Sequence, residues 1–158
     1  MALSNICRTN YTVEAGVTQF LGTFSAPEPP SQSPQILYSF TGLQNNNWIP
    51  GQEPYGPKWK PFDIIQPVLA YAGGYSVQSW YVTLDYGVVN SNPLDLQPGA
   101  SIFGNMTQTG ETTWYIGSTV HGQTTEIHVT RDRLKVQPWS YTTIECYGRC
   151  GCWSCNAR

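Results

Sequence analysis

Two polar side chains lie in strand-like, largely apolar segments: one is a carboxylate that can transfer protons, and the other is an amide that can donate hydrogen bonds. Glu145 belongs to Tyr141-Thr-Thr-Ile-Glu-Cys-Tyr147, and Gln66 belongs to Phe62-Asp-Ile-Ile-Gln-Pro-Val-Leu69. Desolvation on a half-buried strand raises the pKa of a carboxylate, which suits a general acid or base. A buried amide needs hydrogen-bond partners, and it can present its NH₂ group to a developing oxyanion. The structural alternative is a glutamate paired with a nearby basic residue and an amide that bridges two strands.

Aromatic residues suggest a second kind of site. The chain has six tryptophans and ten tyrosines, and Trp48 and Trp59 fall in a long loop rich in proline and glycine. Exposed aromatic rings stack on sugars or on extended peptides. The alternative is that several of these rings cap the ends of a β-sandwich.

Four of the five cysteines lie close to the C-terminal end of the chain. They are Cys146, Cys150, Cys152 and Cys155, and Cys7 stands apart from them. The spacing is compatible with disulfides, with a metal site or with free thiols, and these alternatives stay open. No third ligand accompanies the two histidines, so no metal site is predicted at them, and no cofactor is expected.

The composition excludes several classes of protein. Only 11% of the 158 residues are charged, against about 25% in a typical globular domain. With eight basic and ten acidic residues, the chain has no excess of positive charge that would attract nucleic acid. No apolar run approaches the roughly 18 residues of a membrane span, and the high aromatic content argues against disorder. We therefore expect one globular domain that binds neither nucleic acid nor membrane.

Short segments rich in β-branched and aromatic residues alternate with glycine and proline, which predicts an all-β fold. Short strands at this spacing indicate a β-sandwich or a β-barrel over residues 1–145, with a cysteine-rich tail over 146–158 packed on it. Pro67 falls inside the predicted strand 62–71, and we expect an edge strand or a bulge there because proline lacks an N–H group. The predicted strands cover residues 18–24, 35–41, 62–71, 76–85, 101–107, 113–118, 124–131 and 141–147.

The first residues have no basic segment followed by an apolar run, so they do not form a signal peptide. The protein is expected in the cytoplasm if Met1 is native. It is expected to be secreted if Met1 was added to a processed domain.

Several segments, in the same order along the chain, resemble the eqolisins, the fungal glutamic peptidases. Gly22-Thr-Phe-Ser-Ala-Pro27 is similar to the family's Gly-Thr-Phe strand, and Ile64-Ile-Gln66 to its Ile-Leu-Gln. Ser79-Trp-Tyr81 resembles its Ala-Trp-Tyr, and Tyr141-Thr-Thr-Ile-Glu145 its Glu-Trp-Ile-Val-Glu. The resemblance implies a two-sheet antiparallel β-sandwich of the jelly-roll type that cleaves peptides at acidic pH. It also implies that Gln66 and Glu145 are the catalytic pair.

The resemblance implies a groove for substrate, with four aromatic side chains as substrate contacts: Trp48, Trp80, Tyr81 and Trp139. The sequence also departs from the family. Val82 stands where the family has a glutamate after Trp-Tyr, and Ile6 stands where it has a tryptophan. These positions surround the family's active site.

Three hypotheses of function follow. In the first, a glutamic-peptidase-like hydrolase, Glu145 takes a proton from water at acidic pH and Gln66 donates hydrogen bonds to the oxyanion. In the second, a lectin-like sandwich binds carbohydrate without catalysis. In the third, the same Gln/Glu pair performs another acid–base reaction on a small molecule. The expected partners are therefore a peptide or small-molecule substrate, or a carbohydrate.

Overall fold

The computed structural model describes residues 3–13, 15–30, 35–46, 62–83 and 85–148. In these residues the chain forms strands and one 3₁₀ turn, Asp132–Leu134. The strands are β1 (Leu3–Thr12), β2 (Gln19–Ser25), β3 (Gln35–Gln44), β4 (Asp63–Tyr71), β5 (Tyr75–Thr83), β6 (Gly87–Asn90), β7 (Leu94–Leu96), β8 (Ser101–Gly110), β9 (Thr113–Val120), β10 (Gln123–Thr130) and β11 (Trp139–Gly148). No helix in the described ranges is long and apolar enough to cross a membrane.

The strands form two antiparallel sheets, which confirms the predicted two-sheet sandwich. The seven-stranded sheet has the order β1-β11-β3-β4-β5-β6, and β7 also pairs with β5. The four-stranded sheet has the order β10-β9-β8-β2. The last described strand, β11, lies between β1 and β3, and it continues to Gly148, past the predicted boundary at residue 145. Three strands were not predicted: β1, and the short β6 and β7.

The core lies between the sheets because the side chains of each strand alternate between its two faces. In β5, buried and half-buried residues alternate from Tyr75 to Thr83. Two apolar clusters fill the space between the sheets. Trp114 of β9 is completely buried in the second cluster, and its indole Nε1 donates a hydrogen bond to the Leu134 carbonyl at 2.8 Å. This contact anchors the 3₁₀ turn against the core.

Pro67 lies in an interior strand, so the prediction of an edge or a bulge was wrong. β4 pairs with β3 on one side and with β5 on the other, without a register shift. The ladder with β3 lacks pairs at Thr41 and Gly42, opposite Pro67 and Gln66, where proline has no N–H group to donate. The Pro67 ring packs towards β8, and a Cβ atom on Gly104 would lie 2.6 Å from its Cγ. A glycine in the facing sheet thus makes room for the proline.

A buried carboxylate ties the end of β4 to the segment after β10. Asp63 is completely buried and accepts hydrogen bonds from Arg133 Nε, at 2.5 Å, and from the Tyr81 hydroxyl. Arg133 also donates to Thr83 Oγ1 at 3.1 Å and to Asp85 at 2.7 Å. The hydrogen bond with Asp63 raises the pKa of the Arg133 guanidinium. The burial of Asp63 is thus matched by a permanent positive charge.

Candidate functional site

The seven-stranded sheet has one face against the core and one face turned away from the four-stranded sheet, which we call the outer face. Along β4, Ile65 and Leu69 point into the core clusters between the sheets. Ile64, Gln66 and Val68 alternate with them and therefore point to the outer face. A third apolar cluster lies on this face: Phe40, Phe62, Ile64, Val68 and Tyr141. Gln66 is thus a polar group among apolar neighbours.

The side-chain amide of Gln66 is bound by Tyr141. The Tyr141 hydroxyl of β11 donates a hydrogen bond to Gln66 Oε1 of β4 at 3.2 Å. To reach it, the tyrosine ring passes over Gly42 of the intervening β3, where a Cβ atom would lie 2.5 Å from the hydroxyl oxygen. Gln66 Nε2 makes no hydrogen bond with any described residue. Its NH₂ group remains available to an acceptor from outside these residues.

Glu145 lies on the outer face as well, but the strand register separates it from Gln66. Glu145 pairs with Tyr38 of β3, and Tyr38 pairs with Ala70 of β4, four residues beyond Gln66. At about 3.3 Å per residue, this offset is roughly 13 Å along the strands. The structure therefore brings Gln66 together with Tyr141 and does not bring it together with Glu145.

Around Glu145 the outer face carries a row of half-buried aromatic rings. The Tyr147 hydroxyl donates to Glu145 Oε2 at 3.0 Å. The rings of Tyr38 and Tyr147 meet edge to face with centroids 5.6 Å apart, and Tyr38 lies 5.4 Å from Trp80. Burial, followed by the negative charge of Glu145, raises the pKa of Tyr147. We call Trp80, Tyr38 and Tyr147 the aromatic row.

Tyr81 does not line this face, which corrects its predicted place in the substrate groove. It is 1% exposed, packs in the core between the sheets and donates its hydroxyl hydrogen to Asp63. Burial, and then the hydrogen bond to Asp63, raise the pKa of Tyr81 to about 12. Trp80 and Tyr81 are consecutive in β5, so their side chains point to opposite faces of the sheet.

The other predicted aromatic contacts have different positions. Trp80 is half-buried on the outer face, with its Nε1 donating to Gln78 Oε1 at 3.3 Å. Trp139 is half-buried at the start of β11, two residues before Tyr141, so it points to the same face. Trp48 lies outside the described residues. The role of all three as substrate contacts stays a prediction.

Tyr141 and Thr143 are site residues that the sequence analysis missed. Both alternate with Glu145 along β11, so a period of two already predicted that they share its face. Thr143 is 3% exposed, and its hydroxyl makes no hydrogen bond within the described part of the chain. The pairing of Tyr141 with Gln66 across β3 depends on strand order, which no local pattern shows.

A metal centre has no support in the described ranges, where no group of three or more His, Cys, Asp or Glu side chains could hold an ion. The two histidines of the β9–β10 hairpin do not meet: His121 is in the turn, and His128 pairs with Tyr115. Cys146 is buried in β11, while the side chains of the other cysteines fall outside the described residues. The state of the clustered cysteines stays a prediction.

Solved structures share this architecture. Scytalido-glutamic peptidase with a transition state analog inhibitor matches 91% of this chain and 66% of its own, with 15% identity and a TM-score of 0.63. The same peptidase with a peptide based transition state analog matches 96% of this chain and 70% of its own, with 15% identity and a TM-score of 0.64. SCP-B, a member of the eqolisin family, in a complex with the tripeptide Ala-Ile-His, matches 96% and 68%, with 16% identity and a TM-score of 0.59.

No protein-family model and no curated protein matches the sequence. At about 15% identity, the likeness shows that the chain has the eqolisin-like β-sandwich fold. The chain spans about two thirds of the length of these neighbours.

Proposed function

We propose that the outer face of the seven-stranded sheet binds an extended peptide. The observation that carries this proposal is the Gln66 amide, whose Oε1 is held by Tyr141 while its NH₂ group donates to no described residue. Gln66 is 5% exposed, and an amide with so little contact with water gains from an added acceptor. A peptide carbonyl is an acceptor that matches this donor.

Two further features support a peptide ligand. The hydroxyl of Thr143 is a buried polar group on the same face that lacks a partner among the described residues. The aromatic row offers half-buried rings on which apolar or aromatic side chains pack. The solved neighbours of the same fold include one bound to a tripeptide and one bound to a peptide based analog. No corresponding observation favours a carbohydrate.

Replacing Gln66 with methionine tests this proposal, because methionine has a similar length and no N–H donor. In fluorescence polarisation with a panel of labelled decapeptides, we expect the variant to bind about fivefold to tenfold more weakly. One hydrogen bond contributes about 1–1.5 kcal/mol. The matched control is Gln19→Met, which changes a glutamine of β2 in the other sheet and leaves affinity unchanged.

Two results would contradict peptide binding by this face. One is a panel in which no decapeptide binds the wild-type chain. The other is equal affinity of the wild type and Gln66→Met, with both proteins folded by circular dichroism.

We propose hydrolysis of the bound peptide as a second candidate function, favoured by the position of Gln66 and Glu145 on one face. In this mechanism Glu145 takes a proton from water, and Gln66 donates to the oxyanion of the tetrahedral intermediate. The register offset between the two side chains is the main argument against it. The mechanism requires that a single tetrahedral centre lie within hydrogen-bond reach of both side chains.

Glu145→Gln tests hydrolysis. An unfolded protein substrate is incubated with the chain from about pH 2 to pH 7, and fragments are measured by mass spectrometry. If Glu145 is the general base, the variant cleaves at least on the order of a hundredfold more slowly. Glu126→Gln, an exposed glutamate in β10, is the control and keeps full activity. Absence of cleavage by the wild type at every pH leaves binding as the function.

A further inference from the structure

We propose that Tyr141 is a positioning residue for Gln66, and that this role requires a glycine at position 42, where a side chain would displace the tyrosine ring. The inference rests on the proposed function, since it assigns Gln66 the part of a donor to the ligand. In this role the tyrosine fixes which end of the Gln66 amide faces the ligand.

In the structure, the hydrogen bond holds the amide in one of its two orientations. A carbonyl oxygen only accepts hydrogen bonds, so in its contact with Gln66 Oε1 the Tyr141 hydroxyl is the donor. A rotation of the amide by 180° would turn Oε1 towards the ligand, and the hydroxyl would then accept a hydrogen bond from the NH₂ group instead of donating one. The orientation held by Tyr141 therefore presents two N–H donors, the arrangement that a peptide carbonyl or an oxyanion requires.

The surroundings make this hydrogen bond effective. Gln66 is 5% exposed and Tyr141 2% exposed. The Phe40 ring meets the Tyr141 ring edge to face, with centroids 6.1 Å apart, and Val68 packs in the same cluster. Little water competes for the amide here, so the hydrogen bond is stronger than at an exposed site. Because the neighbouring side chains are apolar, Gln66 Oε1 accepts no hydrogen bond from any other described residue.

Gly42 allows the tyrosine to reach across a strand. Tyr141 belongs to β11 and Gln66 to β4, with β3 between them. A Cβ atom on Gly42 would lie 2.5 Å from Cζ and from the hydroxyl oxygen of Tyr141. An alanine at this position displaces the ring and breaks the hydrogen bond without removing any polar group.

The test measures the side-chain NH₂ signals of Gln66 by ¹H–¹⁵N NMR, identified by their loss in Gln66→Met. In the wild type we expect two dispersed signals with the heteronuclear NOE of a rigid group. In Tyr141→Phe and in Gly42→Ala, we expect these signals to move towards the positions of free amides and their NOE to fall. Decapeptide affinity should fall threefold to tenfold in both variants.

The control is Tyr115→Phe in the four-stranded sheet. The Tyr115 ring lies over Gly117 of its own strand, and its hydroxyl forms a hydrogen bond with Glu126 of β10. This variant removes an equivalent hydroxyl from the other sheet, and the Gln66 signals should not move.

Gln66 signals that keep their position and NOE in folded Tyr141→Phe and Gly42→Ala would overturn the positioning role. So would equal decapeptide affinity in the wild type and both variants. Failure of the proposed function gives a different pattern, in which no decapeptide binds the wild type. In that case the change in the Gln66 signals still decides whether Tyr141 holds the amide.

Discussion

Replacing Arg133 with methionine is expected to lower the free energy of unfolding by about 3–5 kcal/mol, because it leaves a buried carboxylate without its counter-charge. Asp63 is completely buried, and Arg133 Nε is 2.5 Å from its Oδ2. After the change, Asp63 keeps hydrogen bonds from Tyr81 and from Asn45 Nδ2. These neutral donors stabilise the charge only in part, so we expect a value near the lower end of the range.

Urea unfolding followed by tryptophan fluorescence measures this effect. The matched control is Arg131→Met, an exposed arginine whose guanidinium lies 5.4 Å from the centre of the Tyr86 ring and which we expect to cost less than about 1 kcal/mol. Adding Asp63→Asn to Arg133→Met should recover part of the loss, because the double variant removes the stranded charge. A loss below about 1 kcal/mol in Arg133→Met would show that the ion pair contributes little.

Replacing Trp114 with alanine is expected to cost about 3–5 kcal/mol, because it opens a large cavity between the two sheets. Trp114 is completely buried, and its neighbours in the cluster include Ile65 of the facing sheet and Met106 of the adjacent strand. The change also removes the hydrogen bond to the Leu134 carbonyl. That carbonyl belongs to the turn that precedes Gln137 and β11. The start of β11, the strand that carries Tyr141 and Glu145, should therefore become less ordered as well.

Thermal and urea unfolding of Trp114→Ala measure the total loss of stability. Trp114→Phe keeps much of the ring volume but removes the N–H donor, so it separates the contribution of the hydrogen bond from that of the cavity. Phe103→Ala is the surface control, since Phe103 is 41% exposed on the four-stranded sheet. We expect the control to stay within about 1 kcal/mol of the wild type. Equal stability of Trp114→Ala and Phe103→Ala would refute the idea that this tryptophan holds the sheets together.

The sequence determined the class of fold through local chemistry. β-Branched and aromatic residues between glycine and proline predicted strands, and eight of the eleven described strands overlap a predicted segment. β1, β6 and β7 were missed: β6 and β7 have only four and three residues, too few for an alternating pattern. The need of a buried Gln66 for a partner was also predictable, because burial of an amide without hydrogen bonds is costly.

The sequence is sufficient to predict which side chains of a strand share a face. The placement of Tyr81 in the substrate groove was wrong because this rule was not applied. Trp80 and Tyr81 are neighbours in β5, so a period of two places only one of them on the outer face. The resemblance to a family suggested both residues together and overrode this rule. The same period places Tyr141, Thr143 and Glu145 on one face, as the structure has it.

The tertiary structure alone decided which side chains meet. Pro67 was expected at an edge, yet β4 is interior, because the missing N–H falls at a gap in the ladder and Gly104 of the other sheet leaves space for the ring. Gln66 meets Tyr141, 75 residues away, and not Glu145. Such pairings follow from strand order and register, which many distant contacts set together. A strand's own residues determine that it forms and which face is apolar, but they do not determine its neighbour.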